Sequence, residues 1–503
     1  MSWLITRLGL RAIDVRKGEV AALVWSCAYF FLILTAYYIL RPIRDEMGVA
    51  GGVHNLAWLF TGTLIGTLLL HPVYAALVSR LPRRRFVPLT YRFFIVNLIA
   101  FFALFHLADA AQTVWVGRFF FIWLSVFNLF VVSVFWSFMT DLYRPTQSKR
   151  LFGVVAVGGT LGALLGSTIT TGLVGVLGAV NLLLVSALFL EIAARACGAL
   201  DRHETRLAEE ARAEAAELGH GEPSPDPSPH GADVIGGGLG DGVRHVLRSP
   251  YLLGIAALML MYTIAATFLY FQRIDIVSRV FEDDPAGRIR LFGGMDMATN
   301  VLTLGTQIFL TGRLLRWLGI GFGLAFLPVI CLIGFGALGA APVLAVVVVF
   351  EVLRRAGNFA LSRPAREVLY TVMSRTDKYK AKNFNDTFVY RLGDQVGSWS
   401  YTAMAWLGLG LSGLAFTMVP LSLAWLLLAM WLGREYRIRQ RRQDSTASRQ
   451  GPTNQTETET NGSGLPHLQP TDGQKPDAGF DEREPARSVR SVEAAHRDHR
   501  DHR

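Results

Sequence analysis

Cysteine is almost missing from this chain: three in 503 residues. Cys27, Cys197 and Cys331 lie far apart, in or beside apolar segments, so neither a disulfide framework nor a metal-binding spacing is present. They read as packing residues. Charge is also scarce, at 17% of residues, where a soluble protein carries about a quarter. No nucleophile–base constellation stands out, and no metal motif. The glycine-rich run VGGTLGALLGS (Val157 to Ser167) follows no strand and lacks the Gly-Lys-Ser/Thr ending of a phosphate loop. These absences argue against an enzyme and imply neither a cofactor nor a metal. A cleavable signal pattern is missing too: Arg7, Arg11, Arg16 and Lys17 precede the first apolar span without an A-x-A site.

What fills the chain instead is long apolar runs, recurring from Val20 to Leu432 within a composition that is 51% hydrophobic. They are long enough for membrane-spanning helices rather than barrel strands. The expected fold is therefore an all-α polytopic membrane protein. Twelve spans are predicted, near 20–40, 54–79, 86–107, 113–139, 151–173, 177–197, 250–272, 290–312, 318–339, 343–374, 384–407 and 411–433. The net charge of +10 is not read as nucleic-acid binding. Its arginines and lysines gather in loops on one side: Arg80 to Arg85, Arg144 to Arg150, Arg313 and Arg316, Arg375 to Lys382, and Arg434 to Arg442. Short loops on the other side, near 174–176, 340–342 and 408–410, carry no charge. That bias places both termini in the cytoplasm. The segment Arg273 to Arg290 breaks the pattern as a cationic outer loop, tempered by Glu282, Asp283 and Asp284.

The two halves of the pattern repeat at an offset of about 231–233 residues. Tyr38 and Arg41 match Tyr270 and Arg273; Arg80 and Arg83 match Arg313 and Arg316. Gly162, Gly166 and Ser167 match Gly393, Gly397 and Ser398. Six plus six spans repeated in parallel, with a long central loop, is the major facilitator architecture. In that fold, spans 1, 4, 7 and 10 line the central cavity. The expected organisation is an interfacial segment at 1–19, a six-helix bundle at 20–197, a cytoplasmic linker at 198–249, a second bundle at 250–433 and a disordered cytoplasmic tail at 434–503. Within the linker, Arg206 to Leu218 reads as a solvated helix and Gly221 to Gly231 as a flexible stretch. Gly158, Gly162 and Gly166 share one face of span 5, which allows close helix packing.

Ionisable groups inside a bilayer are costly and point to function by default. Span 10, VVVVFEVLRRAGNFALSRPAREVLYTVM, concentrates them. Counting from Val343, Glu351 lies about 12 Å deep and Arg355 about 18 Å deep, near the middle of a core about 30 Å thick. Four residues apart, they are expected to pair. Arg355, Asn358, Ser362 and Arg366 continue the stripe beside Arg354, and Arg363 and Glu367 form a second pair. Span 11 adds Arg391 and Asp394, span 4 adds Arg118 and Asn128, and span 8 adds Asp296 and Asn300. Structural ion pairing is the plain alternative for these groups, and Arg118 is placed to snorkel.

The end of span 1, YYILRPIRDEMG (Tyr37 to Gly48), packs Arg41, Arg44, Asp45 and Glu46 around Pro42. The proline is expected to kink the helix, with Asp45 and Glu46 in the first turn of a restarted one. Arg41 and Arg44 would then turn inward at the cavity mouth, opposite the repeat mate Arg273.

This stretch, together with Leu361 to Asp394, resembles the nucleotide translocases of intracellular bacteria and plastids, the ATP/ADP-exchange type within the major facilitator superfamily. The resemblance rests on Leu40, Arg41, Arg44 and Asp45, and on Pro364, Arg366, Glu367, Lys378, Lys380, Lys382 and Asp386. Two positions depart from that family's pattern: Arg44 stands in place of Lys, and Arg363 in place of an acidic residue. The resemblance implies exchange or symport of nucleotides, with cationic side chains meeting phosphates.

The expected function is secondary active transport of a small organic anion, a nucleotide or another phosphorylated metabolite, by alternating access in a bacterial inner membrane. Substrate contacts are expected at Arg41, Arg44, Arg273, Asn128, Arg354, Arg355, Asn358, Arg366 and Lys382. Coupling or gating, with protons as co-substrate, is expected at Asp45, Glu351, Glu367 and Asp394. Membrane lipid is the other expected partner. The alternatives are a proton-coupled exporter of an amphipathic compound and a non-transporting receptor or scaffold acting through the linker and tail.

Overall fold

The computed structural model describes residues 19–80, 83–143, 145–217, 249–373 and 385–449. Every regular element among them is helical. In chain order the α-helices are α1 (Val20–Ala50), α2 (Leu56–Arg80), α3 (Arg83–Leu107), α4 (Ala110–Leu142), α5 (Pro145–Leu177), α6 (Asn181–Glu217) and α7 (Pro250–Val280). They continue as α8 (Pro285–Thr306), α9 (Gly312–Trp317), α10 (Gly319–Ala340), α11 (Leu344–Gly357), α12 (Arg363–Leu369), α13 (Tyr390–Trp406) and α14 (Leu411–Arg449). Nine helices among the described residues are long and apolar enough to cross a bilayer. The segments at 285–317, 344–372 and 385–406 are helical but interrupted. Each carries a π-helical turn, at Gln307–Thr311, Asn358–Ser362 and Asn385–Val389.

Local signals set the boundaries. Asp109 caps α4 through a reciprocal box with Gln112. Ser249 caps α7 ahead of Pro250, and Asp284 caps α8 ahead of Pro285. Gly52, Gly178, Gly319 and Gly408 adopt positive φ at the reversals between helices, a conformation open to residues without a Cβ. Helix α1 runs unbroken through Pro42 to Ala50. The expected restart after the proline is therefore corrected: neighbouring helices pack against this stretch and hold the turn that lacks one backbone donor. The expected outer loop from Arg273 to Arg290 is also corrected, because α7 extends to Val280 and α8 begins at Pro285. The connection is only 281–284.

Two hydrophobic cores form. One is built from residues between Ala22 and Leu200, joined by Ile289. The other is built from residues between Tyr251 and Tyr436, joined by Val49, Leu56, Leu59 and Phe121. Large apolar side chains such as Leu69, Phe93, Val96, Phe119 and Ile333 stay exposed on the outside, as a bilayer-facing surface requires. Glycines bring the helices of each half together in the same way. A Cβ on Gly162 would strike the Phe31 carbonyl, and one on Gly166 would strike Thr35. In the second half, Gly393 and Gly397 press α13 on Thr263 and Thr267 of α7. The repeat seen in the sequence is thus a repeat of packing. Between the halves, α5 lies along α8 and α2 along α13, while α1 touches both α7 and α8.

Candidate functional site

Every contact described below between the two halves lies toward one end of the bundle, called here the distal end: that of the 51–55 and 281–284 connections. Helix α1 reaches it with Arg41, Arg44, Asp45 and Glu46. Asp45 is 2% exposed and collects three donors. Arg273 on α7 donates from Nη2 at 2.8 Å, Arg44 from Nη2 at 2.8 Å, and the Tyr270 hydroxyl at 3.1 Å. Arg273, 1% exposed, lies between the rings of Tyr270 and Phe292, each 4.8 Å from its guanidinium carbon. One turn away, Arg41 meets Asp296 of α8 at 3.0 Å. The same Asp296 oxygen accepts from Nη1 of Arg355, on α11, at 2.5 Å. One carboxylate of the second half thereby joins an arginine from each half.

A further pair completes the distal end. Arg288, at the start of α8, grips Glu46 with Nε at 2.6 Å and Nη2 at 2.8 Å. Its Nη1 donates to the carbonyls of Phe281 and Glu282 at 2.5 and 2.9 Å. A bidentate fork of this kind fixes orientation as well as charge. Thr61 of α2 accepts from the Trp399 indole at 3.1 Å and donates to Gln395 at 3.0 Å, joining α2 to α13.

The remaining candidates distribute as follows. Glu351 does not pair with Arg355 as its spacing suggested. It binds Arg354, three residues on, at 3.0 Å, because Arg355 is drawn across to Asp296. Asp394 on α13 is held loosely, by Arg391 at 3.4 Å and the Thr267 hydroxyl at 3.4 Å. Asn358 donates to the Tyr262 hydroxyl at 3.0 Å. Asn358 and Arg366 line a small recess with Ser362, Tyr262 and Trp425. Glu367 is half-buried on α12, and Asn128 is half-buried on α4, three residues beyond the Ser125 hydroxyl that Arg44 approaches at 3.5 Å. Arg118 donates to the Gly51 carbonyl at 3.1 Å and stacks on Trp115. Lys378, Lys380 and Lys382 lie outside the described residues.

The sequence does not by itself place Glu46, Arg288, Tyr270 or Asp296 among the substrate or coupling residues. A signal existed for two of them. Tyr270 is the repeat mate of Tyr38, and Asp296 is a lone carboxylate in an apolar span. Arg288 carries none, because it precedes the apolar run of its helix.

A bundle of apolar helices in two similar halves, joined at one end by buried ion pairs and carrying arginines inside, defines a helical membrane transporter. The chain belongs to the Major Facilitator Superfamily, whose family model matches residues 20–364. Among curated proteins it is similar to ADP,ATP carrier protein 2 of Chlamydia pneumoniae, 24% identical over 221 residues, covering 38% of this chain and 40% of the relative. It is also similar to ADP,ATP carrier protein 1 of Chlamydia trachomatis serovar D, 24% identical over 180 residues, covering 32% and 34%. The matches therefore span about two fifths or less of these relatives. Among solved structures, a bacterial homolog of the human lysosomal transporter Spinster matches 85% of this chain and 98% of its own. Its TM-score is 0.45, at 13% identity.

Proposed function

We propose that this protein is a secondary active transporter of an organic anion bearing phosphoryl groups, a nucleotide or another phosphorylated metabolite, working by alternating access. Twelve spans in two bundles, 20–197 and 250–433, cross a bacterial inner membrane with both termini in the cytoplasm. The distal end then faces outward, and the Asp45–Arg273 and Glu46–Arg288 pairs close it.

The observation that carries the reading is the sharing of Asp296 between Arg41 and Arg355. Buried arginines held by a carboxylate of the protein are cations poised for exchange with an anion of the cargo. Arg is suited to this, being always charged and offering planar forks to phosphate oxygens. The weak similarity to ADP,ATP carriers supports a phosphorylated cargo, and antiport follows from the same analogy. Arg44, Arg354, Arg366, Asn128, Asn358 and Lys382 extend the cationic and polar lining. Glu351, Glu367 and Asp394 are the coupling carboxylates. Asp394, with two long contacts, is the least committed to its partners.

The test is uptake and exchange by the purified full chain in proteoliposomes, using labelled ATP, ADP, glucose 6-phosphate and succinate. Saturable flux of a phosphorylated compound, lost in Arg355→Met, is the expected result. Equal flux by the variant, or flux of none of the phosphorylated compounds, overturns the reading.

A further inference from the structure

Helix α8 presents a polar stripe that the ion pairs do not use up. Asp296, Asn300 and Thr303 stand at i, i+4 and i+7 and so share one face; all three are buried. Helix α11 packs on α8 and sends Arg355 to Asp296. Asp296 occupies only Nη1 of that guanidinium. Arg355 Nη2, the Asn300 side-chain nitrogen and the Thr303 hydroxyl are each buried without a hydrogen-bond partner among the described residues.

Buried donors left unmade are expensive, costing about 1–3 kcal/mol each; two of these stand on the face of α8 that carries Asp296, and the third belongs to the arginine that Asp296 holds. Thr303 sharpens the point. Many buried threonines in these helices return their hydroxyl to the carbonyl four residues back, among them Thr35 to Phe31, Thr263 to Met259, Thr299 to Met295 and Thr402 to Ser398. Thr303 is free of that bond. Its hydroxyl is left available to a ligand.

We infer that Arg355, Asn300 and Thr303 form the seat for a terminal phosphoryl group of the cargo, with Asp296 holding Arg355 and Arg41 in place between loads. The inference rests on the reading of this chain as a carrier of phosphorylated anions, and it assigns a site within that carrier. Three separate donors match the three terminal oxygens of a phosphoryl group better than the two of a carboxylate. Two arginines against one aspartate leave a local charge of +1, so an anion entering the seat is attracted rather than repelled. Arg41, 17% exposed at its side chain, marks the side of the cluster that solvent reaches. The stripe also ends where the helix is interrupted: the π turn at Gln307–Thr311 begins four residues after Thr303. There Gln307 and Thr311 bond backbone carbonyls of the facing π turn, at Phe359 and Ala360.

The experiment measures equilibrium binding of ATP, glucose 6-phosphate, inorganic phosphate and succinate to the full chain in lipid nanodiscs. Asn300→Leu and Thr303→Val remove one donor each with little change of shape. Each is expected to weaken the phosphorylated probes by about tenfold, the worth of one hydrogen bond to a charged group. Thr303→Ser is expected to restore affinity. Thr299→Val, on the same helix but committed to Met295, is expected to leave it unchanged. Melting temperatures of the unloaded variants separate lost binding from lost fold; should one variant fail to fold, the other and the serine exchange still decide. Wild-type affinity in both donor variants overturns the seat and leaves the carrier reading standing. A wild-type protein that binds none of the phosphorylated probes overturns both. Succinate bound as tightly as the phosphorylated probes, and weakened by the same variants, overturns the phosphoryl assignment.

Discussion

Asp45→Asn is the most direct probe of the distal closure. The carboxylate serves Arg273, Arg44 and Tyr270, and among the described residues it is the one carboxylate in direct contact with Arg273, with Glu351 acting on that guanidinium from farther off. Neutralising Asp45 leaves the Arg273 charge buried without its direct partner, and removing one partner of a buried pair costs roughly 3–5 kcal/mol. The asparagine oxygen still accepts one bond, so the lower figure, about 3 kcal/mol, is the better guide. Arg44 is 17% exposed at its side chain and adds less, since water reaches it. The penalty falls on the conformation in which the halves meet. Once the distal end parts, Arg273 is hydrated and the penalty disappears. The variant therefore shifts the balance of closed to open by roughly a hundredfold, at 1.4 kcal/mol per factor of ten. Spin labels on His54→Cys and Asp283→Cys, one in each half at the distal end, report the separation by pulsed electron resonance. A longer distance population is expected in Asp45→Asn. It is expected to shrink again in the double variant Asp45→Asn with Arg273→Met, because the fully buried charge is then gone and only the partly exposed Arg44 is left without its carboxylate. An unchanged distance distribution in the single variant, with an unchanged melting temperature, would refute the reasoning. So would a double variant that opens further than the single one.

Other outcomes follow from the same geometry. Gly162→Val forces side-chain carbons into the Phe31 carbonyl, and Gly397→Val forces them against Ile264 and Thr267; each should lower stability by about 1–3 kcal/mol, read as a drop in detergent melting temperature. Glu46→Gln should weaken the distal closure in the same sense as Asp45→Asn, and the two effects measured together should not add, since both carboxylates fasten one stretch of α1. Asp394→Asn should abolish any stimulation of uptake by a proton gradient while retaining exchange of labelled for unlabelled cargo; retained stimulation would remove Asp394 from coupling.

Much of the fold was legible because a bilayer leaves few solutions. A run of about twenty apolar residues must be a helix, since backbone groups in hydrocarbon can only be satisfied within the segment. The repeat was legible because Gly162 and Gly166 have counterparts that do the same packing in the second half. Ion-paired residues inside the bundle were legible where a charge interrupts an apolar run, as at Arg41, Asp45, Glu351 and Arg355. Their partners were not. Spacing offered Glu351 to Arg355, but the choice between Arg354 and Arg355 is made by Asp296, fifty-nine positions away in sequence. Pro42 suggests a break that the surrounding helices suppress, and Arg288 reads as a loop residue because α8 begins at Pro285, ahead of the apolar run that marks the span. Pairing across the halves is a tertiary fact, and local periodicity carries no information about it.

The π turns give the second half a mechanical property that none of the first half's described helices shares. Each extra residue in a winding advances everything beyond it by about 100° around the axis. The heading of Arg366 relative to Arg355 is thus set by the turn between them, much as a gear tooth sets the phase of a shaft. Deleting Phe359 would take out that tooth and swing the near portion of the segment to another bearing while its outer portion stayed in step. A carrier whose one half can slip by a tooth and whose other half cannot would divide labour: one side serves as frame, the other as ratchet.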